Sequence, residues 1–406
     1  MSDFEAGFGS VEITPHNLGL PMVGYGTREH GSRTGNSQGV HDPLMAKALV
    51  VRKGAKAWAL CALDLLAIDS ENVAEARRFA SRETGLEPEA ILIASIHTHS
   101  GPDSKEAANW NRPLAELVAE TIVQAWDHKQ PARLAPGAGF LYGHSINRRW
   151  LDRPIDPGVG VLRIDDEAGK LLGVVVNFGL HAVVMGGDNL YISADYVGYM
   201  RSKVEAALGG ACIFTNGGAA DVNPLTETVR QQLRDRRAFV TMTGASYYGP
   251  EKDAVYIEER KGGTFAEAEI IGNALAEEVI KVACGLSTAP PQVDPWNKQA
   301  FINHLDDGLE LIESQALGVG DFGLVAQPGE VFVETALDIK ARLRKLGYRY
   351  PWVVSYANDW QSYLAPKSAL PEEGYEVDRA RDKRHSPNLQ DRLWAEISRA
   401  MAESKE

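Results

Sequence analysis

Four short runs in this chain are almost wholly apolar, and they constrain its fold more than any other feature. Ala57 to Leu63, Ala90 to Ile96, Val174 to Val176 and Ala211 to Thr215 offer hardly a polar side chain to solvent. A strand with no polar face must be covered on both sides, so these runs predict buried sheet. Helix-length segments separate them. Ser70 to Glu83 reads as a helix with Ser70 as its N-cap and Gly85 beyond its end. Pro113 to Asp127 starts on a proline at its first turn. Tyr196 to Leu208 is capped by Asp195 and stopped by Gly209-Gly210. Phe265 to Cys284, Phe332 to Leu346 and Pro387 to Ala402 complete the set. Ala46 to Val51 pairs with Ala57 to Leu63 as a hairpin, and Gly160 to Ile164 with Leu171 to Phe178. Gly323 to Ala326 and Trp352 to Tyr356 read as further strands. Interleaved helices and strands with hairpins among them indicate a layered, mixed α/β domain. Leu225 to Gly263 is the irregular part: polar, arginine-rich, and carrying Tyr247-Tyr248-Gly249-Pro250. It reads as a surface excursion near a site. Ser287 to Trp296 reads as a stiff connector.

Composition narrows the function classes. The 406 residues carry a net charge of -13, which argues against nucleic acid or an anionic membrane as partner. No apolar run reaches the roughly 20 residues of a membrane span. Met-Ser-Asp-Phe-Glu-Ala has neither the basic nor the apolar part of a signal peptide, so the cytoplasm is the expected location. Cys61, Cys212 and Cys284 are far apart and read as buried, reduced thiols. Nothing in the composition excludes a homo-oligomer.

The chemistry-bearing residues cluster at strand ends. His97 and His99 follow the Ala90 to Ile96 run in Ser95-Ile96-His97-Thr98-His99-Ser100-Gly101-Pro102. In an extended chain, residues at i and i+2 share a face. Ser100-Gly101-Pro102 then turns the chain, leaving N–H groups to face a ligand. His181 follows the next buried strand, and a third imidazole suits zinc. Glu330, in Pro328-Gly329-Glu330, reads either as a first-turn helix carboxylate or as a ligand at another strand's end. His41-Asp42 reads as a turn or a pocket rim.

These strings, in this order, resemble the neutral, non-lysosomal ceramidases and most closely their short bacterial relatives. The resemblance runs over roughly residues 6 to 380. It is carried by Val23-Gly24-Tyr25-Gly26, Gly39-Val40-His41-Asp42-Pro43-Leu44, His97-Thr98-His99-Ser100-Gly101-Pro102, Ile146-Asn147-Arg148, Asn177-Phe178 with His181, and Asp195 with Val197-Gly198-Tyr199. Asn216 through Pro224, Pro328-Gly329-Glu330 and Tyr363 complete it. It implies one catalytic domain over residues 1–406, an α-β-β-α sandwich with mixed sheets. It implies one Zn2+ held by His97, His181, Glu330 and Tyr363, with Tyr356 and Tyr375 as alternatives for the tyrosine. It also implies cleavage of an N-acyl amide by zinc-bound water. His99 is then the candidate proton donor to the leaving amine, and Arg148 the holder of the oxyanion or of a substrate carboxylate. Asp221 orients a ligand or loop. Where the family carries serine in Gly-Asp-Val-Ser-Pro-Asn, this chain reads Ala220-Asp221-Val222-Asn223-Pro224. Asparagine cannot form an acyl intermediate, so Asn223 is assigned to substrate hydrogen bonding. No amphipathic, Trp- or Lys-rich stretch suits membrane insertion, so the expected partner is a small-molecule amide smaller or more polar than ceramide. Two other readings stay open: a zinc hydrolase of esters, lactones or carbamates, and an inactive binding protein of the same fold.

Overall fold

The computed structural model describes residues 3–25, 36–150, 152–234, 262–372 and 374–402. The apolar runs lie inside an eight-stranded mixed sheet. Its spatial order is Ala211–Asn216, Leu171–Phe178, Gly158–Asp166, Gln130–Phe140, Phe4–Glu12, Met45–Lys53, Lys56–Leu63 and Ile91–Ser95. Its two halves are joined only through Glu5↔Pro131 and Ala6↔Gln130. A second sheet holds Trp296–Asn303, Leu311–Val319, Phe322–Ala326 and Tyr350–Val354 in that order.

Three cores set the layers. Helices Ser70–Thr84, Leu114–Asp127, Tyr196–Leu208 and Phe265–Cys284 bury Val73, Val118, Met200 and Leu275 against one face of the large sheet. The opposite face meets the small sheet through Trp58, Leu92, Val175, Leu324 and Trp352. The Trp58 indole N–H donates across that interface to the Gly318 carbonyl at 3.0 Å, so the large ring is buried with its polar atom satisfied. Helices Val333–Lys345 and Leu389–Ala402 cover the far side of the small sheet with Ile339, Leu343, Leu393 and Ile397. The order helix, sheet, sheet, helix is the expected α-β-β-α sandwich. No helix among the described residues is long and apolar enough to cross a membrane.

Helix ends follow the capping chemistry read from the sequence, with one shift. The cap of Ser70–Thr84 is Asp69, whose carboxylate accepts from the Asn72 amide at 3.0 Å, and Gly85 closes the helix in the left-handed region. Asp195 does cap Tyr196–Leu208, with Gly209 at its end. Cys61 and Cys212 are buried, whereas Cys284, at the end of its helix, is exposed. Ser287 to Trp296 leads into a strand, and of the irregular region Glu227–Arg234 forms a helix. Residues 235–261, with Tyr247-Tyr248-Gly249-Pro250, lie outside the described residues.

Besides several strands of two or three residues, four long ones escaped the sequence reading: Phe4–Glu12, Gln130–Phe140, Trp296–Asn303 and Leu311–Val319. The first two carry glycines where a side chain would collide. A Cβ on Gly9 would sit 2.1 Å from the Thr121 carbonyl oxygen, and one on Gly7 2.2 Å from that of Ala125. Helix Leu114–Asp127 thus lies directly on this strand's backbone. Gly9→Ala is expected to cost about 1–3 kcal/mol of stability through overpacking, read as a lower urea midpoint at unchanged slope.

Candidate metal centre and active site

The site sits where three parallel strand pairs end together. Leu63 pairs with Ser95, Phe178 with Asn216, and Ala326 with Val354. The Ser95 amide donates to the Tyr356 carbonyl, and the Ser355 amide to that of Asn216, binding the pairs into one floor. Strand carboxyl ends are where α/β folds place ligands. Of the six non-glycine residues with positive φ among those described, five lie on this floor or beside it: His97, Asp195, Tyr356, Asn358 and Ser362. Such strain persists where the surroundings over-determine it and is concentrated at functional sites.

His97 is the first of them. Its φ is 69°, so the chain is not extended through His97 and His99 as the sequence suggested. The two rings converge because the chain kinks at the end of the strand. The Nε2 atoms of His97 and His181 lie 3.1 Å apart, and those of His99 and His97 3.2 Å apart. Oε2 of Glu330 lies 3.6 Å from both His97 Nε2 and His181 Nε2. All four residues are buried.

Hydrogen bonding fixes which nitrogens carry protons. Nδ1 of His97 is 2.7 Å from the Leu66 carbonyl oxygen, and Nδ1 of His181 is 2.8 Å from that of Ala219. A carbonyl accepts only, so each Nδ1 donates and each neutral ring presents an Nε2 lone pair. Both rings are held neutral. Burial pushes His97 down to about 3 and His181 well below its usual value, and the Arg148 charge pushes the same way. Two lone pairs facing each other at 3.1 Å repel unless a cation lies between them. Ligand atoms on a tetrahedral zinc at about 2.0–2.1 Å are about 3.3 Å apart, so this donor set fits such an ion. The carboxylate supports the same conclusion. Glu330 Oε2 is buried and makes no hydrogen bond within the protein, a vacancy that a metal bond satisfies. His97, His99 and His181 therefore form a buried group that could hold a metal ion.

Burial raises the Glu330 carboxyl to about 8 in the metal-free protein, opposed by Arg148 and by a hydrogen bond from Tyr363. At pH 7 it is mostly protonated, while His97 and His181 have no proton to lose at Nε2. Metal binding near pH 7 is expected to expel roughly one proton from Glu330, and that contribution fades above about pH 9. Calorimetry in buffers of different ionisation enthalpy measures it; absence of any proton release at pH 7 would mean that Glu330 is already ionised before the metal binds.

Glu330 is not a first-turn helix carboxylate. It opens a two-residue strand, Glu330–Val331, parallel to Tyr363–Leu364, which places Glu330 directly beside Tyr363. The Tyr363 hydroxyl accepts from Arg148 Nη2 at 2.8 Å. Tyr356 instead stacks flat on His97, with ring centroids 4.0 Å apart, and Tyr375 packs edge-on against Tyr363. Arg148 is the hub of the polar wall. Its Nε donates to Glu376 at 2.7 Å and its Nη1 to Asn223 Oδ1 at 3.2 Å. Burial opposes its charge, but Tyr363, Glu376 and Glu330 hold it protonated.

Asp221 stands one step back. Its carboxylate accepts from the Asn147 side chain at 3.0 Å and the Val333 amide at 2.9 Å, and its carbonyl from the Arg148 amide at 2.7 Å. It fixes the Arg148 turn against the start of helix Val333–Lys345. The Ser100 amide, expected to face a ligand, is taken by Thr98 Oγ1 at 3.1 Å. His41 and Asp42 line a different cavity of about 320 Å³ with Tyr199 and Arg201. There Asp42 accepts from the Ser193 hydroxyl and the Ala194 amide, which makes it a turn-holding residue.

Three residues near the histidines were not singled out from sequence. Glu376, buried, anchors Arg148 and lies 3.6 Å from Arg149. Tyr25 meets the His99 ring at 4.9 Å, behind which Gly24 leaves no room: a Cβ there would fall 2.6 Å from His99 Nδ1. Trp360, half-buried, flanks His97 at 5.5 Å. Of these, Tyr25 carried a signal, through its place beside Gly24 in Val23-Gly24-Tyr25-Gly26, although no role was assigned to it.

The sequence model of neutral/alkaline non-lysosomal ceramidases, N-terminal region, matches residues 4–241. The chain belongs to this family. Among curated relatives, a neutral ceramidase of Pseudomonas aeruginosa is 25% identical over 252 residues, 54% of this chain and 37% of the relative. One of Mycobacterium tuberculosis is 27% identical over 236 residues, 50% of this chain and 36% of the relative. The matched part thus spans little more than a third of these relatives' length. The crystal structure of the Pseudomonas aeruginosa neutral ceramidase superposes with a TM-score of 0.79 at 18% identity, covering 99% of this chain and 74% of that one, and shows the shared fold. His97, His99, Arg148, His181, Asp221 and Asn223 fall within the family match. Glu330, Tyr363 and Glu376 fall beyond it, and geometry alone joins them to the histidines.

Proposed function

We propose that this chain is a zinc-dependent hydrolase of N-acyl amides. One observation carries the metal: the His97 and His181 Nε2 lone pairs, each fixed by a carbonyl at Nδ1, face each other at 3.1 Å with Glu330 Oε2 3.6 Å from both. Family membership supports amide hydrolysis, since the matched relatives are named neutral ceramidases. His97, His181 and Glu330 would hold the ion, and Tyr363 is the fourth residue, because its strand pairs it with Glu330 and its hydroxyl lies on the Arg148 fork. Zinc in this pocket supplies a Lewis acid that polarises a carbonyl and acidifies water.

The protein's own groups do the rest. Arg148 has N–H donors beyond those bound to Glu376, Asn223 and Tyr363, and they serve the oxygen that gains charge as the amide carbon becomes tetrahedral. Asn223, held by Arg148, receives a substrate hydrogen bond and attacks nothing. His99, packed against Tyr25 with Nε2 turned to the cluster, delivers a proton to the departing amine. Asp221 keeps Arg148 in place.

The substrate proposed is smaller or more polar than ceramide. The polar Arg148–Asn223 wall and the half-buried Tyr25 and Trp360 support this reading. The test is a matched panel of N-acyl amides of graded chain length with ester, lactone and carbamate counterparts. Preferred turnover of short or polar amides is expected. Turnover of long-chain ceramide alone would overturn the substrate class, and turnover of esters but not amides the reaction class.

A further inference from the structure

Asn216 ends strand Ala211–Asn216, is fully buried, and takes no part in the chemistry described above. Its carboxamide touches the two histidine-bearing turns at once. Nδ2 donates to the Ile96 carbonyl at 3.0 Å and to the Leu180 carbonyl at 3.1 Å, while Oδ1 accepts from the Leu180 amide at 3.3 Å. Ile96 and Leu180 immediately precede His97 and His181. Asn216's own carbonyl accepts from the Ser355 amide, so the third strand pair is fastened at the same point. The two turns also touch directly, where the His99 amide donates to the Ala182 carbonyl at 3.2 Å, but at the residues just before the histidines it is this one planar group, with both donors and its acceptor used, that spans the gap.

We propose that Asn216 is a positioning residue that fixes the spacing of His97 and His181 and thereby the metal affinity of the cluster. This inference rests on the cluster being a metal centre. An Asn216 carboxamide is rigid about its plane, and its three hydrogen bonds are made in a dry interior: losing them takes a partner from the Ile96 carbonyl and from the Leu180 amide, while the Leu180 carbonyl keeps the Tyr196 hydroxyl. Partners that orient metal ligands without touching the ion typically contribute 10–100-fold to affinity.

The test is zinc affinity, measured by competition with a chromogenic chelator, and the visible spectrum of the cobalt-substituted protein. Both are independent of turnover. The variants are Asn216→Asp, which keeps size and the acceptor but loses both donors, and Asn216→Leu, which keeps size alone. Asn177→Leu is the control. Asn177 donates to Thr215 and Val353 in the same layer but to neither histidine turn. Both Asn216 variants are expected to bind zinc about 10–100-fold more weakly, with an altered cobalt spectrum, while Asn177→Leu loses thermal stability and keeps wild-type affinity. Wild-type affinity and spectrum in a folded Asn216 variant would overturn the inference, as would an equal loss in Asn177→Leu. A wild-type chain that binds no zinc would instead bring down the metal centre itself.

Discussion

Replacing His181 by alanine is expected to remove bound metal and to lower kcat/KM on the order of 10³-fold or more, with the fold retained. The loss is large because the site has no slack. His97 and Glu330 keep their places, but a zinc ion bound to them lacks the third protein ligand that the buried position supplies. The fold survives because the ring's polar contacts are few. Nδ1 meets one carbonyl, that of Ala219, and Nε2 faces only the cluster. The informative control is a second histidine pair, where the buried His304 and the half-buried His385 approach at 3.0 Å through their Nδ1 atoms. There His385 Nε2 meets the Gln361 carbonyl, so His385 Nδ1 is left to accept a proton from His304 Nδ1, and the two facing nitrogens need no cation between them. His385→Ala is expected to keep both metal and activity. Metal analysis and circular dichroism on the two variants separate loss of a ligand from loss of a buried imidazole.

Arg148→Lys should keep the metal and lower kcat/KM by about 10²–10³-fold, the amount that one oxyanion donor contributes elsewhere. The substitution preserves charge, so a purely electrostatic Arg148 would tolerate it. Its fork is the point: Nε, Nη1 and Nη2 each meet a different partner, Glu376, Asn223 and Tyr363, and an ammonium cannot reproduce that geometry. Arg148→Ala should in addition destabilise the fold by about 3 kcal/mol, since it leaves the buried Glu376 carboxylate with only the longer 3.6 Å contact to Arg149. Unchanged kcat/KM in Arg148→Lys, measured on the best amide of the substrate panel, would reduce Arg148 to a structural ion pair.

The parts legible in the sequence were those with a local physical cause. Fully apolar runs became central strands, and Asp195, Gly85 and Gly209 marked helix ends through side-chain capping and left-handed backbone. His97 and His181 were visible because each stands at the end of such a run, whereas Arg148 was visible only through the ordered set of strings that resembles the family. Of the four long missed strands, Phe4–Glu12 and Gln130–Phe140 carry glycine or proline, Trp296–Asn303 lies at the edge of the small sheet with polar side chains, and Leu311–Val319, inside that sheet, is broken by Glu313, Ser314 and Gln315. Their strand state comes from pairing and close helix packing, which no single segment reveals. Glu376 was hidden for another reason. In Tyr375–Asp382 it reads as one more charge in a solvated helix, and only the fold brings it to Arg148, 228 positions away. The kink at His97 was equally hidden: the alternation of His97 and His99 suggested an extended chain, whereas a positive φ brings the rings together.

The central claim is that His97, His181 and Glu330 surround a metal ion. Metal content per chain, measured by plasma mass spectrometry after dialysis against zinc and then against metal-free buffer, tests it most directly. One zinc per wild-type chain and none in His181→Ala is the expected result. A wild-type chain that emerges without stoichiometric zinc, or a His181→Ala chain that retains it, would contradict the assignment.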